Sequence, residues 1–255
     1  MPRSNFSYPN FLTTGATSLA RLSPPIIAKP LYKEFVVAGN TYRFTVPNSF
    51  LLDPEELISN LVVTGAGGTA TIATSWEEAD DPFDSFTSVP TATLAAAGTT
   101  LVVTDATNIP NAVTPILIAQ FAKERTGGTE WRLSSYELAV STSKSSNTLT
   151  IERGLYEAGK AFTTTITSSV PDTFVFFGTQ WNQMRDSGNN LIQNTGVTIT
   201  GATPTAPITS RLALASEGLV GLGRKAWRQR VDAASSSTAT YRIDVSGRET
   251  GVSVY

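Results

Sequence analysis

Threonine, at roughly one position in seven of the 255, constrains this chain more than any motif it carries. A β-branched side chain is stiff at its first torsion, which costs little on a pleated surface and more in a helix. Its hydroxyl also suits the wet face of a sheet. Ser, Ala and Gly join Thr in the places usually taken by Lys and Glu, and only 16% of residues are charged. The composition predicts an all-β chain: small β-sandwich or barrel domains, an extended N-terminal arm and at most short helices.

Two absences narrow the chemistry. There is no Cys and no His, so disulfides, thiolate sites, Ser-His-Asp triads and His-based zinc sites are all excluded. A net charge of −2 with no basic stripe argues against a general nucleic-acid binder, which needs a cationic field to displace phosphate counterions. No run approaches the 18 or more apolar residues of a membrane span, and Met1-Pro2-Arg3-Ser4-Asn5-Phe6 lacks a signal-peptide core. The expectation is a soluble product with no cofactor and no small-molecule substrate.

Along the chain, residues 1–34 hold Pro24-Pro25 and Lys29-Pro30 and predict an extended arm, suited to strap a neighbouring subunit. Residues 35–85 predict a β-rich segment. Phe35, Val37, Tyr42, Phe44 and Val46 alternate around the turn Ala38-Gly39-Asn40-Thr41, giving a hairpin. Asp53-Pro54-Glu55-Glu56 carries helix-start chemistry and predicts a short helix to Ile58. Leu61–Thr64 and Ala70–Ala73, around a glycine-rich turn, predict a second strand pair.

Short strands separated by turns follow over 86–163, the spacing of a small sandwich or barrel. They are expected near Thr99–Val103, Ile116–Ala119, Trp131–Leu133 and Thr148–Ile151. The C-terminal segment, 164–255, opens with Thr163–Thr167 at its boundary and then Thr173–Phe177, the most aromatic strand candidate. Val197–Thr200 and Tyr241–Val245 continue the series. Between them Leu212, Leu219, Leu222, Ala226 and Val231 recur at roughly helical spacing, which predicts a helix within Arg211–Ala234.

Several motifs mimic chemistry. Gly154-Leu-Tyr-Glu-Ala-Gly159-Lys160 has phosphate-loop spacing, but Ala161 stands where a Ser or Thr must hold magnesium. Ser141-Thr142-Ser143-Lys144 has the spacing of a lysine-activated serine, in a polar run with nothing to desolvate the amine. Glu77, Glu78, Asp80, Asp81 and Asp84 crowd into one acidic stretch without the glycine-bearing spacing of a calcium loop. Arg224-Lys225-Ala226-Trp227-Arg228-Gln229-Arg230 is the one basic cluster. Complementary charge predicts that it meets the acidic stretch of an adjacent subunit. The expected interface residues are therefore Trp76, Asp80, Asp81, Phe174, Phe176, Arg224, Lys225, Trp227, Arg228 and Arg230.

A family resemblance rests on three pieces: Thr99-Thr100-Leu101-Val102-Val103-Thr104-Asp105-Ala106 with Ile109-Pro110, Tyr136-Glu137, and Asn147-Thr148-Leu149-Thr150-Ile151-Glu152-Arg153-Gly154. Over about Thr91 to Ala161 the chain resembles a β-rich module of tailed-bacteriophage structural proteins found in tail, baseplate and fibre-attachment parts. It departs from that pattern at Leu155-Tyr156-Glu157-Ala158 and in a longer stretch around Thr126 to Glu130. The resemblance implies a non-enzymatic virion protein, assembled in the host cytoplasm, whose partners are its own copies and other virion proteins. Nucleic acid and membrane are not among the partners it implies. One alternative is a capsid decoration or cement protein. Another, supported by Trp76, Trp131, Trp181 and Trp227 beside the carboxylates, is a glycan-binding or glycan-cleaving receptor protein.

Overall fold

The computed structural model describes residues 5–7, 11–14, 21–23, 25–27, 31–46, 54–66, 69–90, 94, 98–153, 172–186, 188–200, 208–213, 226–235 and 239–249. In chain order the first strands are β1 (Asn5–Ser7), β2 (Phe11–Thr14), β3 (Arg21–Leu22), β4 (Ile26–Ile27), β5 (Tyr32–Val37) and β6 (Asn40–Thr45). Then come β7 (Pro54–Ala66), β8 (Thr69–Ala79), β9 (Ser85–Ser88), β10 (Thr100–Val102), β11 (Thr114–Lys123), β12 (Glu130–Ser145) and β13 (Thr148–Glu152). The series ends with β14 (Thr173–Phe177), β15 (Asn182–Gln183), β16 (Gln193–Thr200), β17 (Ile208–Ala213), β18 (Ala226–Ser235) and β19 (Ala239–Glu249). The fold is all-β.

Two compact units share the chain. One gathers residues 1–29, 51–80 and 181–255; the other gathers 30–50 and 81–180. The boundaries expected at 35, 86 and 164 are therefore redrawn, because the hairpin β5–β6 and the aromatic strand β14 belong with the 81–180 strands.

In the first unit, β7 and β19 lie at the centre of one sheet, while β8 and β18 pair along their length in another. The strand pair expected across residues 61–73 is corrected: β7 and β8 go to different sheets. Each takes a long C-terminal partner, β19 or β18, in place of its sequence neighbour. The helix expected from Asp53 is corrected as well, since Leu57, Ser59 and Leu61 are buried while Ile58, Asn60 and Val62 are not. That two-residue period is a strand's, and burial outweighs the capping chemistry before it. The helix expected within Arg211–Ala234 gives way to β17 and β18, and no helix occurs among the described residues. The described strands of the leader pair within the chain: β1 and β2 with β19, β3 and β4 with β18.

The second unit holds one sheet in the order β10-β13-β12-β11-β14-β9. Thr104 donates its amide to the Ser88 carbonyl at 2.8 Å, so the segment after β10 returns to β9 and closes the sheet into a small barrel. Leu101, Ile116, Ile118, Ala139, Leu149, Ile151, Val175 and Phe177 fill its interior. Strand alternation then gives β14 two jobs, because Val175 and Phe177 point inward while Phe174 and Phe176 join a second, aromatic layer outside.

The hairpin β5–β6 covers that outer layer. Its two-residue turn, Ala38-Gly39, has φ of 49° and 79°, the left-handed geometry that matches the twist of paired strands. Phe35 stacks on Tyr42 at 5.0 Å and meets Phe174 edge-on at 5.2 Å; Phe44 lies 5.0 Å from Phe176. Trp131 reaches the same layer through a bulge. Gln120 pairs with Ser135 and Phe121 with Leu133, so Ser134 is the extra residue, and it flips the alternation of β12. Glu137 and Ala139 lie opposite the inward Ile118 and Ile116, whereas Trp131 and Leu133 lie opposite Lys123 and Phe121. Without the bulge the indole would point into the barrel.

Candidate functional site

The residues that carry the phage-module resemblance form two separate sets of contacts, one at each end of β13. Asn147 donates from its amide side chain to the Thr104 carbonyl at 2.7 Å and accepts the Ala106 amide at 3.3 Å. Asp105 accepts the Thr107 amide at 2.8 Å, which makes the Asp-Ala turn, and donates its own amide to Thr87 Oγ1 at 3.1 Å. Lys144 then closes the turn from above. Its ammonium donates to the carbonyls of Ala106, Thr107 and Ile109 at 3.0, 3.3 and 2.6 Å. The Ser-x-x-Lys spacing thus serves the backbone, since a lysine spent on three carbonyls does not deprotonate Ser141.

Glu137 and Arg153 pair at the other end of β13. Arg153 donates from Nε to both Glu137 oxygens at 3.1 and 3.0 Å and from Nη2 to Oε2 at 2.7 Å. The side chains are 3% and 6% exposed, so the pair is buried and bidentate. Glu137 lies two residues from Ala139 and Arg153 two from Ile151, so the ion pair continues the inward-facing rows of β12 and β13.

The basic cluster also finds acids, within its own chain. β18 runs antiparallel to β8 with Arg228 opposite Glu77. Arg228 Nε donates to Glu77 Oε2 at 2.7 Å and Arg230 Nη1 to Oε1 at 3.3 Å. The Arg228 guanidinium lies 3.9 Å from the Trp181 ring centre, a cation–π contact on the way to its carboxylate. Arg230 also pairs with Asp232 at 2.8 Å, and this holds its guanidinium above the usual arginine range. The charge complementarity expected between subunits is met, for Arg228 and Arg230, within the chain itself.

The other acids are spent separately. Asp81 accepts from Lys33 Nζ and from the Phe83 amide. Asp84 accepts the Thr179 amide and hydroxyl and the Gln180 amide at 2.8–3.0 Å. Asp80 is exposed. Among the described residues, no three Asp, Glu, His or Cys side chains group as metal ligands, and no helix is long and apolar enough to cross a membrane.

Of the residues expected at an interface, Trp76, Phe174, Phe176 and Trp227 are buried in their own unit, Arg228 with them. Arg224, Lys225 and the phosphate-loop look-alike at 154–161 lie outside the described residues. Trp131 is buried too, and a buried indole has no face to offer a sugar. Sequence reasoning missed the surface positions instead: Tyr32, Val36, Phe86 and Tyr136 are the exposed large hydrophobics among the described residues. The alternation of β5 around its turn was the signal that marks the first two.

A buried acid also went unmarked. Asp172, 2% exposed, accepts the Tyr42 hydroxyl at 3.0 Å on Oδ1, while Oδ2 has no hydrogen-bond partner among the described residues. Burial raises its carboxyl above the ordinary 3.8, against the opposing pull of the Tyr42 hydrogen bond and the Lys123 charge. Burial, with Asp172 beside it, likewise raises the Tyr42 phenol. A carboxyl raised by folding contributes fully when protonated in both states, and its contribution is lost as pH rises through the folded value. Asp172→Asn, whose carbonyl still accepts from Tyr42, is expected to raise the melting temperature at neutral pH. The advantage should vanish as pH falls below 3.8 in a pH series of thermal melts.

No protein-family model, curated protein or solved structure matches this chain.

Proposed function

We propose that this chain is a non-enzymatic structural subunit of a tailed-bacteriophage virion, acting through subunit packing in the tail, baseplate or fibre-attachment region. One observation carries the reading. The three separated pieces that resemble the phage module, around Thr104–Ala106, at Glu137 and at Asn147–Arg153, are tied to one another within the barrel, Asn147 to Thr104 and Ala106 at one end of β13 and Arg153 to Glu137 at the other. A resemblance whose residues do architectural work supports an architectural role. The disposition of the tryptophans favours it over a glycan receptor, because Trp76, Trp131 and Trp227 serve as core anchors.

The test is direct. Particles purified through a density gradient from the producing host should retain the chain at constant stoichiometry to the major shell protein, and a gold-labelled antibody should mark the tail end. Label on the shell would transfer the role to capsid decoration. Absence of the chain from particles, or cleavage of host polysaccharide that Asp80→Asn with Asp81→Asn abolishes, would overturn the structural reading.

A further inference from the structure

Two arginines are buried among the described residues, Arg21 at 7% exposed and Arg228 at 6%. The fold treats them differently. Arg228 reaches Glu77 at 2.7 Å and lies over the Trp181 ring. Arg21 meets neither a carboxylate nor a ring among the described residues, and its Nε, shielded from solvent, has no hydrogen-bond partner. A guanidinium taken out of water without a counter-charge is costly, and a buried polar group left unpaired calls for a ligand that the chain does not supply.

The strand register shows what lies beside it. Arg21 of β3 is opposite Val231 of β18, and Val231 is opposite Thr74 of β8, so the three share one face of the sheet. Asn194 of β16 continues the row opposite Thr74, and its side-chain amide donates to the Thr209 carbonyl of β17 at 2.9 Å. Because β17 belongs to the other sheet of the same unit, this face is the one turned toward that sheet. Thr74 is 3% exposed, and its hydroxyl also has no partner among the described residues. In the next row of the face, Gln229 has an unpartnered Oε1.

We propose that the row Arg21–Val231–Thr74 binds a carboxylate, held by the Arg21 guanidinium on one side and the Thr74 hydroxyl on the other. Charge and shape select this ligand. No other Lys or Arg shares the face among the described residues, so one positive charge is offered. A carboxylate balances it, whereas a phosphate group near neutral pH brings more negative charge than the row can match. The planar guanidinium fork fits the two oxygens of a carboxylate. Arg21 and Thr74 stand two strand spacings apart, about 10 Å between backbones, a span that the arginine side chain and one carboxylate fill together. The Gln229 Oε1 acceptor repels an oxyanion and confines it to this row. The inference stands apart from the virion reading, since a carboxylate site has the same chemistry in a particle part and in any other protein.

The full chain tests it, with acetate standing for a free small acid and N-acetylglutamic acid amide for an acidic side chain of another polypeptide. Exchanging chloride for acetate at constant ionic strength, to a hundredfold excess over its dissociation constant, should raise the parent's melting temperature by on the order of 5 °C. Arg21→Met should show no such rise, and Thr74→Val, which keeps the shape and removes the hydroxyl, a smaller one. By titration calorimetry Arg21→Lys, which keeps the charge but loses the fork, should bind acetate at least about tenfold more weakly than the parent. The tighter binder of the two probes names the source of the carboxylate. A parent that melts alike in acetate and chloride and binds neither probe would overturn the proposal. So would an acetate response in Arg21→Lys and Thr74→Val equal to the parent's.

Discussion

Glu137→Ala is expected to destabilise the barrel unit by about 3–5 kcal/mol, the cost of leaving a buried guanidinium without its carboxylate. The melting transition of that unit should fall by on the order of 10 °C, read by circular dichroism. Arg153→Ala should behave alike. Replacing both residues with Met should recover much of the loss, since removing both charges also removes their desolvation cost. If each single variant melts within a degree or so of the parent, the ion pair is not what holds this end of the barrel.

Phe174→Ala should cost a similar amount, about 3–5 kcal/mol, because a fully packed ring is removed from a layer with little freedom to collapse. Phe174 touches Phe35, Tyr42, Phe86 and Phe121 at 4.9–5.9 Å between ring centres. The control is Phe86→Ala in the same layer. That ring is 40% exposed, so its loss should be about half as large or less. The expected signature is a pair of urea midpoints, with Phe174→Ala shifted well below Phe86→Ala. Equal shifts would mean that the outer aromatic layer is not a packed core.

These residues also show where sequence is legible. β14 coincides with the Thr173–Phe177 run, and β13 with the Thr148–Ile151 run plus one residue, because each is a short apolar stretch bounded by turn residues. The hairpin β5–β6 is equally plain, since turn chemistry and flanking alternation are local signals, although the turn is Ala38-Gly39 alone and Asn40 and Thr41 belong to β6. What sequence hides is non-local. β7 carries helix-start residues at Pro54, Glu55 and Glu56, yet it is a strand, because β19 and β17 flank it and bury alternate side chains. The helical spacing across 212–231 joins residues of two strands in different sheets. Nothing in residues 130–135 announces that one extra serine will turn Trp131 outward.

The site divides along the same line. The motif residues Asp105, Glu137, Asn147 and Arg153 were visible as a pattern, and the structure supplies the reason for it, a turn held by Asp105 and Asn147 at one end of β13 and the Glu137–Arg153 pair at the other. The opposition of Arg228 to Glu77 was legible as charge complementarity but not as an intrachain pair, because that depends on the register of β18 on β8. Aromatic residues expected to anchor a neighbour were anchors of their own core. A large side chain in a strand reads the same way in either setting.

Whether this chain is built into a phage particle is decided by a side-chain-resolution reconstruction of particles from the producing host. The expected result is density at the tail, baseplate or fibre attachment that fits the barrel of β9–β14, with the Glu137–Arg153 pair inside it and neighbouring polypeptide against the chain. A reconstruction in which every density is accounted for by other proteins would contradict it.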